Sequence, residues 1–360
     1  MKRLDVLTLN ESERWDSLVK GFKQHDVYYL SGYSKAFHHH GDGEPLLVFY
    51  QDDAVKAMQV VMKRDIAQSA LFSDKIPRGV FFDTVTPYGY GGFLVEGEYN
   101  ETSLQNINEE YSAFCRGSCI ISEFIRFHPL LRNHGLMHRM YCILPMGETI
   151  AVNLFSSDIV WGNMTSKNRN MVRKARKNDV SICWGRSPEL FAEFQRLYAI
   201  TMNANDAAEY YYFDAPFYES LLNDLRYNAM LFYAQRHGLT IASAIVLFCN
   251  GQMHYHLSGT DPSHRNLAPS NLLLYEAACW GSENGFSSFH LGGGLGATED
   301  SLFMFKKAFN THSDNRFYVG KKIFDEEKYK FLMEHRGFNV SEESTEDQFS
   351  GFFPKYRVSY

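Results

Sequence analysis

A lysine that follows a glycine turn is the first feature of this sequence that could do chemistry. It belongs to SLFMFKKAF at 301–309, which the apolar spacing predicts to be helical. On a helical wheel Leu302, Phe305 and Phe309 form the buried face, and Lys306 lies at its margin. An ammonium in that position either enters a cleft or extends along the apolar surface into solvent.

The glycine turn itself, LGGGLG at 291–296, separates a predicted strand from this helix. Turns of this kind bind phosphate through backbone N–H groups, but the run matches neither G-x-G-x-x-G nor the Walker pattern. Taken alone, it predicts a tight turn in which backbone segments approach closely. Thr298 or Asp300 then caps the helix.

A basic stripe is the second candidate site. Residues 167–177, KNRNMVRKARK, place six basic side chains in eleven positions of a helix predicted over 158–178. Arg169, Arg173 and Lys177 recur at every fourth position and line one side of it. Guanidinium groups match phosphate oxygens in geometry. The stripe therefore predicts contact with phosphate or RNA, with a solvated helix face as the alternative.

A third candidate is the loop 265–270, RNLAPS, which resembles the R-x-x-G-x-G/A loop that holds the coenzyme A pyrophosphate in GNAT acetyltransferases. Arg265 and Ser270 stand at its ends. Ala268 replaces a glycine, and Pro269 removes an N–H donor. The N-terminus of the following helix can still receive an anion.

Two parts of the chain carry the same supersecondary unit. A helix and a β-hairpin are predicted at 33–64 and again at 215–249. At about 150 residues per domain, 360 residues also predict two domains. Between them, the stretch 144–149 has the weakest signal for regular secondary structure. The sequence therefore predicts a duplicated domain, with halves at 1–147 and 148–315.

Composition and charge limit the class of protein. Hydrophobic residues make up 45% and charged residues 22% of the chain, which is typical of a globular protein and not of a disordered one. The net charge of −6 argues against a protein that coats nucleic acid non-specifically, although it allows a local basic patch. The acidic run at 341–348 is expected to be solvated.

The sequence also carries expectations about location and metal content. It shows no signal-peptide pattern and no apolar run long enough to span a membrane. Its six cysteines form no C-x-x-C pair, and we expect a cytoplasmic protein with reduced thiols. Adjacent helical residues point about 100° apart, so the three histidines at 38–40 predict no metal site.

Together these segments resemble the Fem-type aminoacyltransferases, which make the interpeptide bridges of peptidoglycan. The resemblance rests on residues 254–294 and 301–309, on the basic helix, and on TPYGYGG at 86–92 and RFHPL at 126–130. It implies an α+β fold of two tandem GNAT-like domains, each a mixed, mostly antiparallel sheet flanked by helices. It also implies that the segment 316–360 returns to pack on the first domain.

The resemblance assigns roles to individual residues. Phe305 and Lys306 match the Phe-Lys pair of the acyl-transfer centre, where the lysine stabilises the developing oxyanion. Lys35 lies where the family has a lysine that binds substrate phosphate. The candidate donor-loop residues are Arg265, Ser270, Gly292, Gly293 and Gly294. The candidate substrate-binding residues are Lys35, Tyr88, Tyr90, Arg126, Arg169, Arg173, Lys177, Tyr255, His256, Asn271 and Phe305.

Three functions remain open at this stage. The first is amide formation, by transfer of an aminoacyl group from aminoacyl-tRNA to an amine of a nucleotide- or lipid-linked cell-envelope precursor. The second keeps the chemistry but uses an acyl-CoA donor and an amino sugar or small amine as acceptor. The third is a non-catalytic protein that binds RNA or a nucleotide sugar. No tightly bound cofactor and no metal are expected in any of them.

Overall fold

The computed structural model of the chain describes residues 3–73, 75–338 and 349–358. Within these ranges the α-helices are α1 (Ser12–Lys20), α2 (Ser31–His40), α3 (Glu101–Gly117), α4 (Ser157–Asn163), α5 (Ser166–Lys177), α6 (Pro188–Ala204), α7 (Ala215–Asn223), α8 (Pro269–Glu283), α9 (Ser301–Lys307) and α10 (Glu326–His335). The strands are β1 (Arg3–Leu7), β2 (Glu44–Gln51), β3 (Val55–Asp65), β4 (Phe82–Val85), β5 (Leu94–Gly97), β6 (Ile120–Arg126), β7 (Cys142–Asn153), β8 (Ser181–Gly185), β9 (Ala229–Arg236), β10 (Leu239–Cys249), β11 (Gln252–Thr260), β12 (Ser288–Gly292) and β13 (Asn315–Ile323). None of the described helices is long and apolar enough to cross a membrane. The acidic run 341–348 lies outside the described residues.

The chain divides into two compact units. Unit 1 comprises Met1–Met146 and Phe317–Tyr360, and unit 2 comprises Gly147–Arg316. The sequence predicts a boundary near residue 147, in the stretch 144–149, and these residues lie inside the continuous strand β7.

The sheet of unit 1 has the strand order β1-β2-β3-β4-β6-β13, and β5 pairs with another part of β3. All pairs are antiparallel except β4 with β6. One apolar cluster joins this sheet to α3 through Ile107, Tyr111 and Cys115, which lie on one helix face. A second cluster joins it to α10 and to the chain around Phe353 and Tyr356.

The sheet of unit 2 has the strand order β7-β12-β11-β10-β9-β8, in which only β11 and β12 are parallel. Its core lies between the sheet and helices α4, α5 and α8, which contribute Val160, Val172 and Leu274 among others. The expected α+β architecture, with mixed, mostly antiparallel sheets and flanking helices, is therefore confirmed.

Both predicted hairpins form, as β2–β3 and as β9–β10. Asp52 closes the first turn, since its Oδ1 accepts hydrogen bonds from the backbone N–H groups of Ala54 and Val55 at 2.9 and 2.8 Å. The second turn uses His237 and Gly238, with φ angles of 49° and 79°. Two-residue hairpin turns require such positive angles.

The single helix predicted over 158–178 is wrong, because two helices, α4 and α5, replace it. Thr165 stands between them with an extended backbone (φ −64°, ψ 152°), and its Oγ1 accepts from the backbone N–H of Asn168. A residue that caps the start of α5 in this way cannot also continue α4. Because of this break, the basic side chains of α5 point in directions that differ from those in a single continuous helix.

The predicted buried face of α9 is correct for Phe305, which is half-buried against the core, and for Phe309, which is 1% exposed, but wrong for Leu302. Leu302 is 38% exposed, whereas Phe303 and Lys306 are only 3% and 8% exposed. Helix α9 ends at Lys307, so Phe309 lies beyond it and does not belong to the same helical wheel. The buried face is rotated by one residue and therefore includes Lys306.

A buried carboxylate binds the C-terminal segment 349–358 to unit 1. Asp83 is fully buried and accepts hydrogen bonds from Arg64 Nε at 2.8 Å, from Tyr356 Oη at 3.1 Å and from two nitrogens of Arg357. Burial disfavours the charged carboxylate, but the two guanidinium groups outweigh it and hold the pKa of Asp83 below its usual value.

We expect Asp83→Ala to lower the free energy of unfolding by about 3 to 5 kcal/mol, because it leaves a buried guanidinium unpaired. Arg139→Ala is the control: it removes the exposed pair with Glu101 and should cost less than about 1 kcal/mol. Urea unfolding at pH 7 measures both. Since folding lowers the pKa of Asp83, its contribution should be present above about pH 4 and lost as pH falls further. Equal losses in the two variants would contradict the assignment.

Candidate functional site

The ammonium of Lys306 is held against the glycine turn. Its Nζ donates a hydrogen bond to the carbonyl oxygen of Gly293 at 2.6 Å. Burial lowers the pKa of Lys306 to about 8, and the carboxylate of Asp300 opposes this only in part. At neutral pH the side chain is therefore mostly a protonated, largely dehydrated ammonium. Among the described residues, Gly293 is the only hydrogen-bond acceptor it has, so further N–H donors remain available to a ligand.

The three glycines of the turn are required by its geometry. Gly292 has a φ of +79°, and a Cβ there would lie 3.4 Å from Lys306 Nζ. A Cβ on Gly293 would lie 2.8 Å from the carbonyl oxygen of Glu148, which is closer than a carbon can approach. A Cβ on Gly294 would collide with the carbonyl oxygen of Thr298. The predicted tight turn with close backbone approach is what the geometry shows.

Asp300 fixes the turn to the helix. Its Oδ1 accepts from the backbone N–H of Phe303 at 2.8 Å, which caps α9, and its Oδ2 accepts from the N–H of Leu295 at 3.2 Å. Of the two predicted caps, Asp300 is thus the one used, while Thr298 donates to the carbonyl of Leu295. This double contact sets the distance between Lys306 and Gly293.

The two parallel strands of unit 2 separate close to this turn. The ladder between β11 and β12 joins three pairs and ends with His254 opposite His290. Beyond it, β11 bulges: Ile245 pairs with Leu257 but Val246 pairs with Tyr255, which leaves His256 as the extra residue. A bulge leaves that residue outside the ladder and bends the strand. Because carboxyl ends of parallel strands share one sheet edge, the bulge and the glycine turn lie toward the same edge.

His256 is unsuited to accept a proton. Burial, with a smaller contribution from His254, lowers the pKa of His256 to about 3. An efficient general base has a pKa near the working pH. The neighbouring Tyr255 packs against the core and donates to Ser258 Oγ at 2.6 Å, and burial raises its pKa. Both residues lie on the expected strand, as neutral groups.

Phe305 is half-buried against the core of unit 2, and its ring meets that of Phe309 edge-on with centroids 5.5 Å apart. The loop 265–270 begins in a 3-10 turn, Pro262–Leu267, and its last two residues are the first two of α8. Ala268 has a φ of +58°, the conformation that glycine adopts without strain. Ser270 Oγ bonds to Thr260 Oγ1 at 2.9 Å, and Arg265 is exposed.

Asn271 belongs to the framework that holds α5, α8 and α9 together. Its Nδ2 donates to Asn168 Oδ1 at 2.7 Å, and Asn168 Nδ2 donates to the carbonyl of Ala308 at 3.3 Å. The role of Asn271 as a substrate-binding residue stays a prediction.

The predicted stripe on α5 does not remain intact in three dimensions. The guanidinium of Arg169 turns back and donates to the carbonyl oxygens of Trp161 and Met164, which satisfies the last turn of α4. Arg173 and Lys177 are exposed. The structure thus separates one residue with a structural role from two that are open to a ligand.

In unit 1, three of the predicted residues lie together. Arg126 Nη2 donates weakly to the carbonyls of Thr86 and Pro87, both at 3.4 Å. Tyr88 directly follows Pro87 and stacks on Phe37 with ring centroids 5.5 Å apart. Tyr90 lies in the same loop, and its ring meets that of Tyr28 edge-on at 5.6 Å.

Lys35 is half-buried on α2, two residues from Tyr33 and two from Phe37. Those two aromatic residues contact Tyr88, through a hydrogen bond from Tyr33 Oη and through the stacked ring. Two helical positions correspond to about 200° of rotation, so Lys35 lies on a different face of α2. Its phosphate-binding role stays a prediction.

The parallel pair of unit 1 stays closed, unlike that of unit 2. After the ladder of β4 and β6, Thr86 N–H donates to the carbonyl of Phe124 at 3.2 Å, and Gly91 N–H donates to that of Arg126 at 2.7 Å. Gly91 also forms a parallel bridge with Phe127. The TPYGYGG loop therefore continues the pairing beyond the strands of unit 1, whereas the β11–β12 ladder of unit 2 ends at His254 and His290.

The structure also shows a histidine–carboxylate pair that the sequence reasoning missed. His128 Nε2 and Asp26 Oδ2 are 2.8 Å apart, and both side chains are fully buried. The other ring nitrogen, Nδ1, accepts from the backbone N–H of Leu131 at 3.2 Å. Both nitrogens are thus engaged, so the pair fixes the loop after β6 and has no free position for a substrate proton. The histidine within RFHPL was its one visible signal.

Comparisons with known proteins concern the fold. Residues 163–300 match the family model described as "Acetyltransferase (GNAT) domain". No curated protein sequence matches the chain. The chain is similar to the crystal structure of FemX with a TM-score of 0.67 and 14% identity, covering 91% of this chain and 99% of that one.

Two further solved structures are similar. One is the C-terminal domain of a putative lysylphosphatidylglycerol synthetase from Agrobacterium fabrum, with a TM-score of 0.55, 14% identity, and coverage of 86% and 91%. The other is a tandem GNAT protein from the clavulanic acid biosynthesis pathway, with a TM-score of 0.50, 8% identity, and coverage of 90% and 99%. The fold is thus a tandem GNAT-like one that resembles the Fem-type enzymes. These findings support acyl transfer as the general class of activity.

The buried ammonium can be measured directly. In protein labelled with ¹³C,¹⁵N-lysine, we expect two side chains to titrate near pH 8, because burial lowers the pKa of both Lys306 and Lys322 to about 8. NMR spectra of Lys306→Met and of Lys322→Met should each lack one of these two resonances. Loss of a resonance with an ordinary lysine pKa in Lys306→Met would contradict the burial of this ammonium.

Proposed function

We propose that the protein is an N-acyltransferase that moves an aminoacyl group from aminoacyl-tRNA to an amine of a cell-envelope precursor. The observation that carries the proposal is the largely buried ammonium of Lys306, held by Gly293 close to the point where the ladder of β11 and β12 ends. The matched GNAT domain and the similarity in fold to FemX support it.

The proposed acyl transfer requires one positively charged group beside the carbonyl oxygen and does not require a metal ion. The acceptor nitrogen attacks the carbonyl carbon of the aminoacyl ester, and the carbonyl oxygen gains negative charge. Lys306, through its remaining N–H donors, stabilises that oxygen where water is excluded. The intermediate then collapses: the carbon–oxygen bond of the ester breaks, the amide forms, and the departing ribose hydroxyl receives the proton that the amine loses.

The proton that the amine loses needs a group that accepts it. His256, with a pKa of about 3, is too weak a base to remove it. A transfer within the intermediate, from the new ammonium to the departing oxygen, requires no protein base. Such substrate-assisted transfer is the route we propose.

An acyl-CoA donor is the second candidate, and the GNAT match of residues 163–300 favours it. The loop that would hold the pyrophosphate argues against it. Pro269 has no N–H to offer, and the preceding Ala268 is already in the left-handed conformation. The helix α8 nevertheless begins there, so its N-terminus retains some affinity for an anion.

Lys306→Met should lower kcat by about 100- to 1,000-fold, as removal of an oxyanion donor does, and change KM for the acceptor little. The assay combines a charged tRNA pool with the precursor that mass spectrometry finds altered in cells without the gene. Lys307→Met is the matched control: this lysine pairs with Glu148 at 3.1 Å and should retain most of the activity. Equal losses in both variants would point to damage of α9 instead.

The pH dependence of kcat/KM should be bell-shaped. The rising limb reports loss of a proton from the acceptor amine, and the falling limb, near pH 8, reports loss of the proton from Lys306. In Lys306→Arg the guanidinium stays charged, so any residual activity should lack that falling limb. An unchanged alkaline limb in this variant would assign the limb to another group.

Thermal unfolding distinguishes the two donors. If RNA carries the acyl group, aminoacyl-tRNA should raise Tm while acetyl-CoA and longer acyl-CoAs leave it unchanged. Stabilisation by acyl-CoA alone would favour the second candidate. Stabilisation by uncharged tRNA, without transfer by the wild type, would favour a binding protein.

A further inference from the structure

The exposed face of α5 is the most strongly charged surface that the proposed reaction leaves unused. Lys167, Arg173, Lys174, Arg176 and Lys177 are all exposed on it. Among the described residues, only Arg176 pairs with a carboxylate, that of Glu276 at 2.6 Å. On a chain with a net charge of −6, this is a concentrated positive field.

Two of these arginines rest on aromatic rings. The guanidinium carbon of Arg173 lies 5.0 Å from the ring centroid of Trp161, and that of Arg176 lies 5.4 Å from that of Tyr275. The two rings contact each other edge-on at 5.2 Å. A stacked guanidinium is already oriented, so it loses less conformational freedom when it binds a phosphate.

The position and length of the face indicate a polymeric ligand. The chain just before α5 is joined to the end of the Lys306 helix, since Thr165 N–H donates to the carbonyl of Ala308 at 2.9 Å. From Lys167 to Lys177 the helix rises about 15 Å. The helix that carries the positive face therefore begins next to the end of α9, and the face extends well beyond the size of a single phosphate.

We propose that this face of α5 binds the phosphate backbone of the RNA end whose acyl ester is placed at Lys306. The proposal rests on the proposed function, because it assumes that the donor is an RNA. An acidic membrane surface would also attract the charges. However, the apolar side of α5, with Val172 and Ala175, is buried in the core and is not available for insertion into a bilayer.

The test measures binding of an uncharged, fluorescein-labelled RNA hairpin with a single-stranded ACCA end, by anisotropy at several KCl concentrations. Lys174→Glu/Lys177→Glu should weaken binding at least tenfold. It should also reduce the slope of log K against log[salt] by about 0.7 to 0.9 for each lost phosphate contact. Lys20→Glu/Lys330→Glu changes the net charge equally on exposed lysines of unit 1 and should leave the affinity within about twofold.

Each outcome decides the proposal. The proposal would be overturned if both double variants weakened RNA binding equally. It would also be overturned if the α5 variant bound RNA as the wild type does, with an unchanged Tm. The proposal would also be overturned if the α5 variant lost binding to phosphatidylglycerol vesicles but retained RNA binding. Lys306→Met should lower the rate of transfer by about 100- to 1,000-fold and leave RNA affinity unchanged. If transfer proves to require acyl-CoA while the α5 variant still loses RNA binding, the donor assignment fails and the RNA surface stands.

Discussion

The burial of one ammonium is the constraint on which the candidate site depends. Lys306 is only 8% exposed, and the carbonyl of Gly293 is the one acceptor that the described chain provides. An arrangement of this kind costs stability, since a buried charge needs compensation that a single neutral carbonyl gives only in part. Its benefit is that the remaining N–H donors need no reorganisation before they meet a developing negative charge.

The surrounding elements serve this arrangement. The three glycines allow the turn to come within contact of Lys306 and of the backbone at Glu148. Asp300 fixes the turn to the start of α9, and the Asn168–Asn271 pair fixes α9 to the neighbouring helices. Rotation of α9 by one residue would move Lys306 to a half-buried position such as those of Phe305 and Lys307. The site is therefore a property of packing more than of any single side chain.

The two units differ at the end of their pair of parallel strands. In unit 2 the parallel ladder stops at His254 and His290, and the strand next to it bulges at His256. In unit 1 the loop from Thr86 to Gly91 continues the pairing beyond β4. A gap between parallel strands is a place where an extended ligand can lie, whereas a loop that occupies the gap prevents this.

Much of this protein follows from its sequence alone. Hydrophobic alternation and turn residues identify both hairpins, because these signals act within a few residues. The glycine turn before a lysine-bearing helix is visible for the same reason. Helix rotation is not: α9 buries Phe303 and Lys306 instead of Leu302 because the packing of the whole unit selects its face. The use of Arg169 is likewise a tertiary matter, since its partners are carbonyls that exist only once α4 ends at Asn163. The Asp26–His128 pair joins residues about a hundred positions apart, and only the folded chain brings them together.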